Sequence, residues 1–285
     1  MPEFIDAHGV AIVYDIHEPA GAPRGVVQLL HGVGEHAGRY AHVVEALTGA
    51  GFVVYADDHR GHGRTGLKQH GDARRLGRLG VGGHVAAVAA VRQLSGIIRD
   101  AHPELPLVLL GHSWGSFLAQ ILLDLDPADF AGVALSGSSL RWPGSLNAGD
   151  LNRRWAGPEA NGLEWLSTDP AVASAFHADP LTTSTPLLRL FGPLNAARLF
   201  GRPRRGLREA AGHDIPVLLM VGRDDSVGGP RAVHRLAHAY RTRSGLDDVT
   251  TLVYPGARHE IFNDVSWPQA RADLLAWLDA RFPPP

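Results

Sequence analysis

Leu105-Pro-Leu-Val-Leu-Leu-Gly-His-Ser113-Trp-Gly115 is the stretch on which the reading of this chain turns. An apolar run, residues 105–110, leads into Gly111-His112-Ser113-Trp114-Gly115, which reads G-x-S-x-G. The run that follows, Ser116 to Leu125, is patterned as a helix. The serine therefore lies at a strand-to-helix turn. Small residues on both sides allow a sharp turn there and leave the serine oxygen exposed, which is the setting of a nucleophile elbow. The pentapeptide alone is a common accident, whose bland reading is a structural serine in a tight turn. The strand before it and the helix after it favour the catalytic reading.

Outward from this turn, strand-like and helix-like segments alternate. An early strand is expected over Val10–Ile16, paired with residues 3–6, then strands at 26–30, 52–56, 105–110, 130–135, 215–221 and 249–254. Helices are expected over 40–50, 81–101, 114–125, 231–244 and 267–282. Short continuous apolar runs between helices indicate a mostly parallel sheet covered on both faces, an α/β fold. The alternation breaks over residues 140–212, where prolines, glycines and tryptophans are scattered and no strand-like run occurs. Leu187, Leu190, Phe191 and Leu194 recur there at helical spacing, interrupted by Gly192-Pro193, and read as two short helices. A gap of this length is too long for a structureless loop in a compact domain. The expected organisation is thus a core of 1–139 and 213–285 with an inserted helical cap, 140–212.

Composition bounds the function. The 285 residues are 45% hydrophobic and 20% charged, ordinary for a globular protein with a sizeable core. The net charge of −2 gives no electrostatic footprint for nucleic acid. With no cysteine, disulfides, thiol nucleophiles and thiolate metal sites are excluded. No apolar run approaches a membrane span. Met1-Pro-Glu-Phe-Ile-Asp6 lacks a basic start and a long apolar segment, so no signal peptide is read and a cytoplasmic location is expected.

A serine hydroxyl needs a base, a group to orient that base, and N–H donors for the oxyanion. His259, in Tyr254-Pro-Gly-Ala-Arg-His-Glu260, follows the last expected strand and is the candidate base. Asp225, in Val221-Gly-Arg-Asp-Asp-Ser226, ends the strand before it and is the candidate acid, with Asp224 as its rival. The chain order serine, acid, histidine is the one that accompanies an elbow of this kind. Trp114 and Val33 are the candidate backbone oxyanion donors, with Gly34 in reserve. Trp114 opens a helix and so has a free N–H, and Val33 lies in His31-Gly-Val-Gly-Glu35 after strand 26–30.

Taken together, His31-Gly-Val-Gly-Glu-His-Ala-Gly-Arg-Tyr40, Asp58-His-Arg-Gly-His-Gly63, Gly111–Gly115 and Arg258-His-Glu260 resemble the monoacylglycerol lipase and lysophospholipase branch of the α/β-hydrolase superfamily. Asp169-Pro and Asp179-Pro-Leu resemble segments of that branch too, and the likeness runs from about residue 10 to residue 282. It implies an α/β-hydrolase fold, a Ser113–Asp225–His259 triad, oxyanion donors Val33 and Trp114, and cofactor-free hydrolysis of carboxylic esters of single-chain lipids. Ser226 departs from the pattern, which often has proline after the acid; this bears on Asp225 against Asp224.

Rival readings remain. A general carboxylesterase or thioesterase would use the same elbow. In another class, Gly32-Val-Gly-Glu-His-Ala37 fits G-x-G-x-x-A after a strand, Asp57 and Asp58 end the next strand, and Gly61–Gly66 fits G-x-G-x-x-G, as in a nucleotide-binding oxidoreductase. That reading leaves the elbow and His259 unexplained. No metal is expected: His31 with His36 and His59 with His62 lack the spacing and a third ligand. Leu187, Leu190, Phe191 and Leu194 are candidates to line an acyl site, or else simply to pack the cap. Arg202, Arg204, Arg205 and Arg208 suggest transient contact with an anionic lipid interface, or else a solvated face. The expected partner is a small acyl ester.

Overall fold

The apolar runs assemble into one sheet. The computed structural model describes residues 1–147 and 149–284. Its strands are β1 (Glu3–Ile5), β2 (Ala11–His17), β3 (Gly25–Leu30), β4 (Phe52–Asp57), β5 (Leu107–His112), β6 (Gly132–Ser136), β7 (Val217–Gly222) and β8 (Val249–Tyr254). They lie in the order β1-β2-β4-β3-β5-β6-β7-β8. β2 runs antiparallel to β1 and β4, and β3 through β8 pair in parallel. Every residue of β3 to β7 is buried, which is why these strands read as unbroken apolar runs rather than alternating ones.

Helices cover both faces. α1 (Ala41–Gly49) and α9 (Trp267–Asp279) share one core with the sheet, through Val43, Leu47, Ala270, Leu274 and Leu278. On the other face, α3 (Gly83–Ala101), α4 (Trp114–Leu125) and α8 (Gly229–Thr242) pack through Val91, Leu94, Leu118, Leu122, Val233 and Leu236. α2 (Gly63–His70) precedes α3. It was not among the expected helices, and it ends on Gly71 in the left-handed conformation (φ 64°), the usual helix stop.

Residues 137–216, between β6 and β7, contain no strand among the described residues and carry α5 (Pro170–Ala178), α6 (Leu187–Ala197) and α7 (Leu207–Ala211). α5 has a clear start: the Asp169 side chain accepts the Ala171 N–H and Pro170 occupies the first turn. α6 is broken at Gly192 (φ 71°, ψ 166°) just before Pro193, so two short helices meet at a kink. Phe191, Leu199 and Leu207 join the α3/α4/α8 core, while Leu163, Leu166, Ala173 and Phe176 form a small core of their own. No helix among the described residues is long and apolar enough to cross a membrane.

The sheet sets where chemistry can occur. The chain leaves β3 to one side for β4 and returns to its other side as β5. At such a reversal the loops after neighbouring strands diverge and open a crevice at the carboxyl ends. The loop after β3 and the turn after β5 flank it.

Candidate active site

Ser113 sits between the last residue of β5 and the first of α4, with φ 51° and ψ −119°. It is the one non-glycine residue with positive φ among the described residues, a strain of about 1–3 kcal/mol that the surroundings must hold in place. They do so by close packing. A Cβ on Gly111 would lie 2.6 Å from the Gly115 carbonyl oxygen, and one on Gly115 would overlap the Leu30 carbonyl of β3. The Ser113 N–H donates to Ser136 O at 2.9 Å, tying the turn to the end of β6.

The same strand end meets the histidine. A Cβ on Gly137 would come within 2.8 Å of His259 Cε1. His259 Nδ1 lies 3.0 Å from Asp225 Oδ2, with both side chains essentially sealed from solvent. The other Asp225 oxygen accepts the Val227 N–H at 2.8 Å. Asp224 points away and pairs with the exposed Arg154 at 2.6 Å. With Asp225 ionised, Nδ1 carries the ring proton and Nε2 keeps a lone pair. Nε2 is buried with no hydrogen-bond partner among the described residues. Burial opposes charge on this ring, but Asp225, helped by Glu260 and Glu35, outweighs it and raises the pKa above the ordinary histidine value. The neighbouring His112 behaves oppositely: burial first, then repulsion by His259, pushes it down to about 3, so it stays neutral. The arrangement can take a proton from a hydroxyl at Nε2 and stabilise the imidazolium that results.

The loop after β3 folds against the serine. A Cβ on Gly32 would sit 3.2 Å from Ser113 Cβ and 2.6 Å from Glu35 Oε1. The Val33 N–H makes no hydrogen bond among the described residues, and Trp114, first in α4, has no carbonyl one turn back to bond. Gly34, the reserve donor, has φ 80° and abuts the Thr183 carbonyl; its own carbonyl accepts the Thr183 N–H at 2.8 Å.

Residues that the sequence reading left without a role hold this loop. Glu35 Oε1 accepts the Gly32 N–H at 2.6 Å and the Tyr40 hydroxyl at 2.7 Å. Arg39 reaches Glu35 Oε2 at 2.5 Å and grips Glu260 with two bonds of 2.8 Å. Burial opposes its charge, yet Glu260 and Glu35 more than offset that and keep Arg39 ionised. The oxyanion-side loop is thus bolted to the residue that follows His259. His36 Nε2 meets Asp179 Oδ2 at 2.8 Å, joining the same loop to the insertion. The i, i+4 spacing of Glu35 and Arg39 and the acid beside His259 were the available signals.

The four apolar candidates of the insertion do not act alike. Phe191 is buried, edge-on to Trp114 with centroids 5.0 Å apart. Leu187 and Leu190 are half-buried against the main core. Leu194 is 67% exposed and does not come to the site. The spacing that grouped it with Phe191 runs across the break at Gly192-Pro193, and the segment beyond that break presents Leu194 outward. Trp114, beyond its backbone, puts its ring among His59, His62, His84 and Phe191.

The nucleotide reading fails on its acids. Asp58 accepts the Ala37 N–H at 3.0 Å and the Arg64 N–H at 2.8 Å, and Asp57 holds His59 Nδ1 at 2.8 Å, so both are consumed inside the fold. No group of three or more metal-ligating side chains occurs among the described residues. A surface cleft of about 580 Å³, lined by His102, Phe130 and His213 among others, lies at the opposite, amino-terminal edge of β5 and has no part in this site.

Known proteins share this architecture. The "Monoacylglycerol lipase" of Mycolicibacterium smegmatis is 35% identical, covering 96% of this chain and 95% of its own. The human "Monoglyceride lipase" is 28% identical, covering 93% and 85%. The crystal structure of a thermostable carboxyl esterase from Bacillus coagulans in complex with glycerol superposes with a TM-score of 0.84 at 27% identity, covering 99% of this chain and 98% of that one. Residues 21–266 match the family Hydrolase_4, described as serine aminopeptidase, S33. On the strand order, the elbow and these matches, the chain belongs to that serine hydrolase family, in the branch of the α/β-hydrolase superfamily that the monoacylglycerol lipases represent.

Proposed function

We propose that this chain hydrolyses carboxylic esters of the monoacylglycerol type through an acyl-enzyme on Ser113. The observation that carries the reading is the strained serine beside a buried His259–Asp225 pair whose Nε2 has no hydrogen-bond partner among the described residues. Ser113 attacks the ester carbonyl while His259 takes its proton. The N–H groups of Val33 and Trp114 stabilise the oxyanion. The alcohol departs with the proton from His259, and water activated by the same ring releases the acid. Apo hydrogen bonds to a nucleophile often tighten only in the substrate complex, which accounts for the open Nε2.

The family description names an aminopeptidase, which would need a carboxylate for the substrate's ammonium group. Glu35 and Glu260, the acids beside the site, are already committed to Arg39, Tyr40 and Gly32, and this favours a neutral ester. Residues 140–212 act as a cap over a core of 1–139 and 213–285, with Phe191 limiting the acyl space against Trp114. Leu188, Leu194, Phe200 and Trp142 present large exposed apolar side chains on this segment, beside Arg202 and Arg205, and make transient contact with lipid surfaces. Arg208 is paired with Asp247, which offsets its charge.

The test is a comparison of monoacylglycerol, lysophospholipid, aminoacyl-nitroanilide and p-nitrophenyl esters of rising chain length, with Ser113→Ala as control. The variant should lose about 10⁴-fold or more in kcat. Near-normal turnover by folded Ser113→Ala, or preference for the nitroanilide, would overturn the proposal. Flotation with neutral and anionic vesicles tests the lipid contact; no binding to either removes it.

A further inference from the structure

We infer that His31 is a positioning residue that aims the Val33 N–H at the developing oxyanion. The inference rests on the reading of Val33 as an oxyanion donor. Gly32 must lack a side chain, because a Cβ there would run into Glu35 Oε1 and crowd Ser113. The same lack leaves the Gly32–Val33 peptide with little steric resistance to rotation. In a planar trans peptide the carbonyl of one residue and the N–H of the next point in opposite directions. Whatever holds the Gly32 oxygen therefore also sets the direction of the Val33 N–H.

That group is the His31 ring. Nδ1 lies 2.7 Å from Gly32 O, and Nε2 accepts the His59 backbone N–H at 2.9 Å. The two contacts admit one tautomer, with the proton on Nδ1 donated to Gly32 and the lone pair on Nε2. The ring is fully buried and stacks on His59 with centroids 4.0 Å apart. His59 is itself anchored through Nδ1 on Asp57 Oδ2 at 2.8 Å. Glu35 holds the Gly32 N–H from the other side. Both polar groups of Gly32 are thus fixed, the N–H by Glu35 and the carbonyl by His31, whose ring is anchored in turn on the segment that follows β4. A flipped peptide would turn a carbonyl dipole toward the oxyanion in place of a donor, a change from stabilising to repelling the same charge.

Two amide substitutions separate the ring's two contacts. His31→Asn carries an amide at the level of Nδ1 and can still donate to Gly32, whereas His31→Gln reaches the level of Nε2 and keeps only the partner of the His59 N–H. Removing one oxyanion donor costs about 10²–10³ in kcat. Misaiming one should therefore cost His31→Gln about 10–10², with KM for a soluble p-nitrophenyl ester within about twofold, and His31→Asn less than about fivefold. Affinity for an alkyl boronic acid, whose tetrahedral adduct uses the oxyanion donors, should fall in step with kcat, while affinity for the alcohol product stays level. Asp57→Asn, which leaves His31 in place but loosens the ring it stacks on, should give a smaller loss of kcat with the same boronate dependence, and serves if either His31 variant fails to fold. Equal losses in Asn and Gln, losses confined to KM, or unchanged boronate affinity would overturn the inference. Failure of the boronic acid to bind the unmodified chain would instead overturn the serine-hydrolase reading itself.

Discussion

Arg39→Met tests the bolt between the two halves of the site. Methionine keeps an apolar stem against Phe176, over which the guanidinium now lies 4.8 Å from the ring centroid, and removes the charge. Arg39, Glu35 and Glu260 are 10%, 3% and 4% exposed at their side chains, so removal leaves two carboxylates facing each other away from water. Breaking a buried ion pair from one side costs roughly 3–5 kcal/mol. Glu35 retains Tyr40 and the Gly32 N–H, and Glu260 retains Asn263 at 3.1 Å, which holds the loss to the lower end, about 3 kcal/mol. For a domain of this size that lowers Tm by about 6–12 °C. The loss has a pH signature. In the variant one carboxylate keeps a proton to escape the other, so its folded pKa rises above the unfolded value of about 4.3. A raised carboxyl pKa costs nothing below the unfolded value and progressively more as pH climbs to the folded one. The Tm deficit should therefore be small near pH 4.5 and full by pH 8. Thermal unfolding followed by tryptophan fluorescence at both pH values is the assay. A deficit under about 2 °C at pH 8, or one equal at both pH values, would refute the buried-bridge argument.

Asp225→Asn should lose about 10⁴ in kcat, because the amide favours the wrong histidine tautomer, whereas Asp224→Asn should change it less than about threefold. Comparable losses from both would contradict the geometry. Since His259 must be neutral to accept a proton and its pKa is raised, kcat/KM should climb with pH through a value above the ordinary 6.5. The sign for stability is the reverse: the charged pair stabilises fully below the unfolded pKa, and that contribution disappears as pH rises through the folded one. An acid limb at or below 6.5 would count against Asp225 governing the ring. Phe191→Ala should shift the p-nitrophenyl ester preference toward longer chains, whereas Leu194→Ala should not; identical profiles for the two would remove Phe191 from the acyl site.

The core of the fold was legible because its parallel strands are buried on both faces and separated by helices of clear period, so residues 26–30, 52–56 and 215–221 declared themselves as apolar runs. The placement of Ser113 at a strand-to-helix turn and of Asp225 beside His259 was legible because chain order and strand ends constrain where such groups can stand. The insertion was not. α5 carried only its Asp169-Pro170 start signal, and although the break at Gly192-Pro193 in α6 was legible, the outward face of Leu194 beyond it was not. α2 was missed because its 8 residues include Gly63 and Gly66 and a single large apolar side chain, Leu67, too little to show a helical period. The Glu35–Arg39–Glu260 bridge was missed for another reason: the i, i+4 spacing marks Glu35 with Arg39, but the pairing of Arg39 with Glu260 across most of the chain leaves no local pattern.

That bridge also orders events during synthesis. Arg39 and Glu260 are 221 residues apart, and closing an otherwise free loop of that length costs about 5 kcal/mol of chain entropy, more than the bridge can return. It can close only after the strands between have drawn its ends together. A nascent chain halted before β8 already contains the serine turn but neither the base nor the arginine's second anchor. Hydrolytic competence should thus switch on in one step as the last segment emerges, and pulse-labelling ribosome-bound chains of graded length with a serine-reactive probe would time that step.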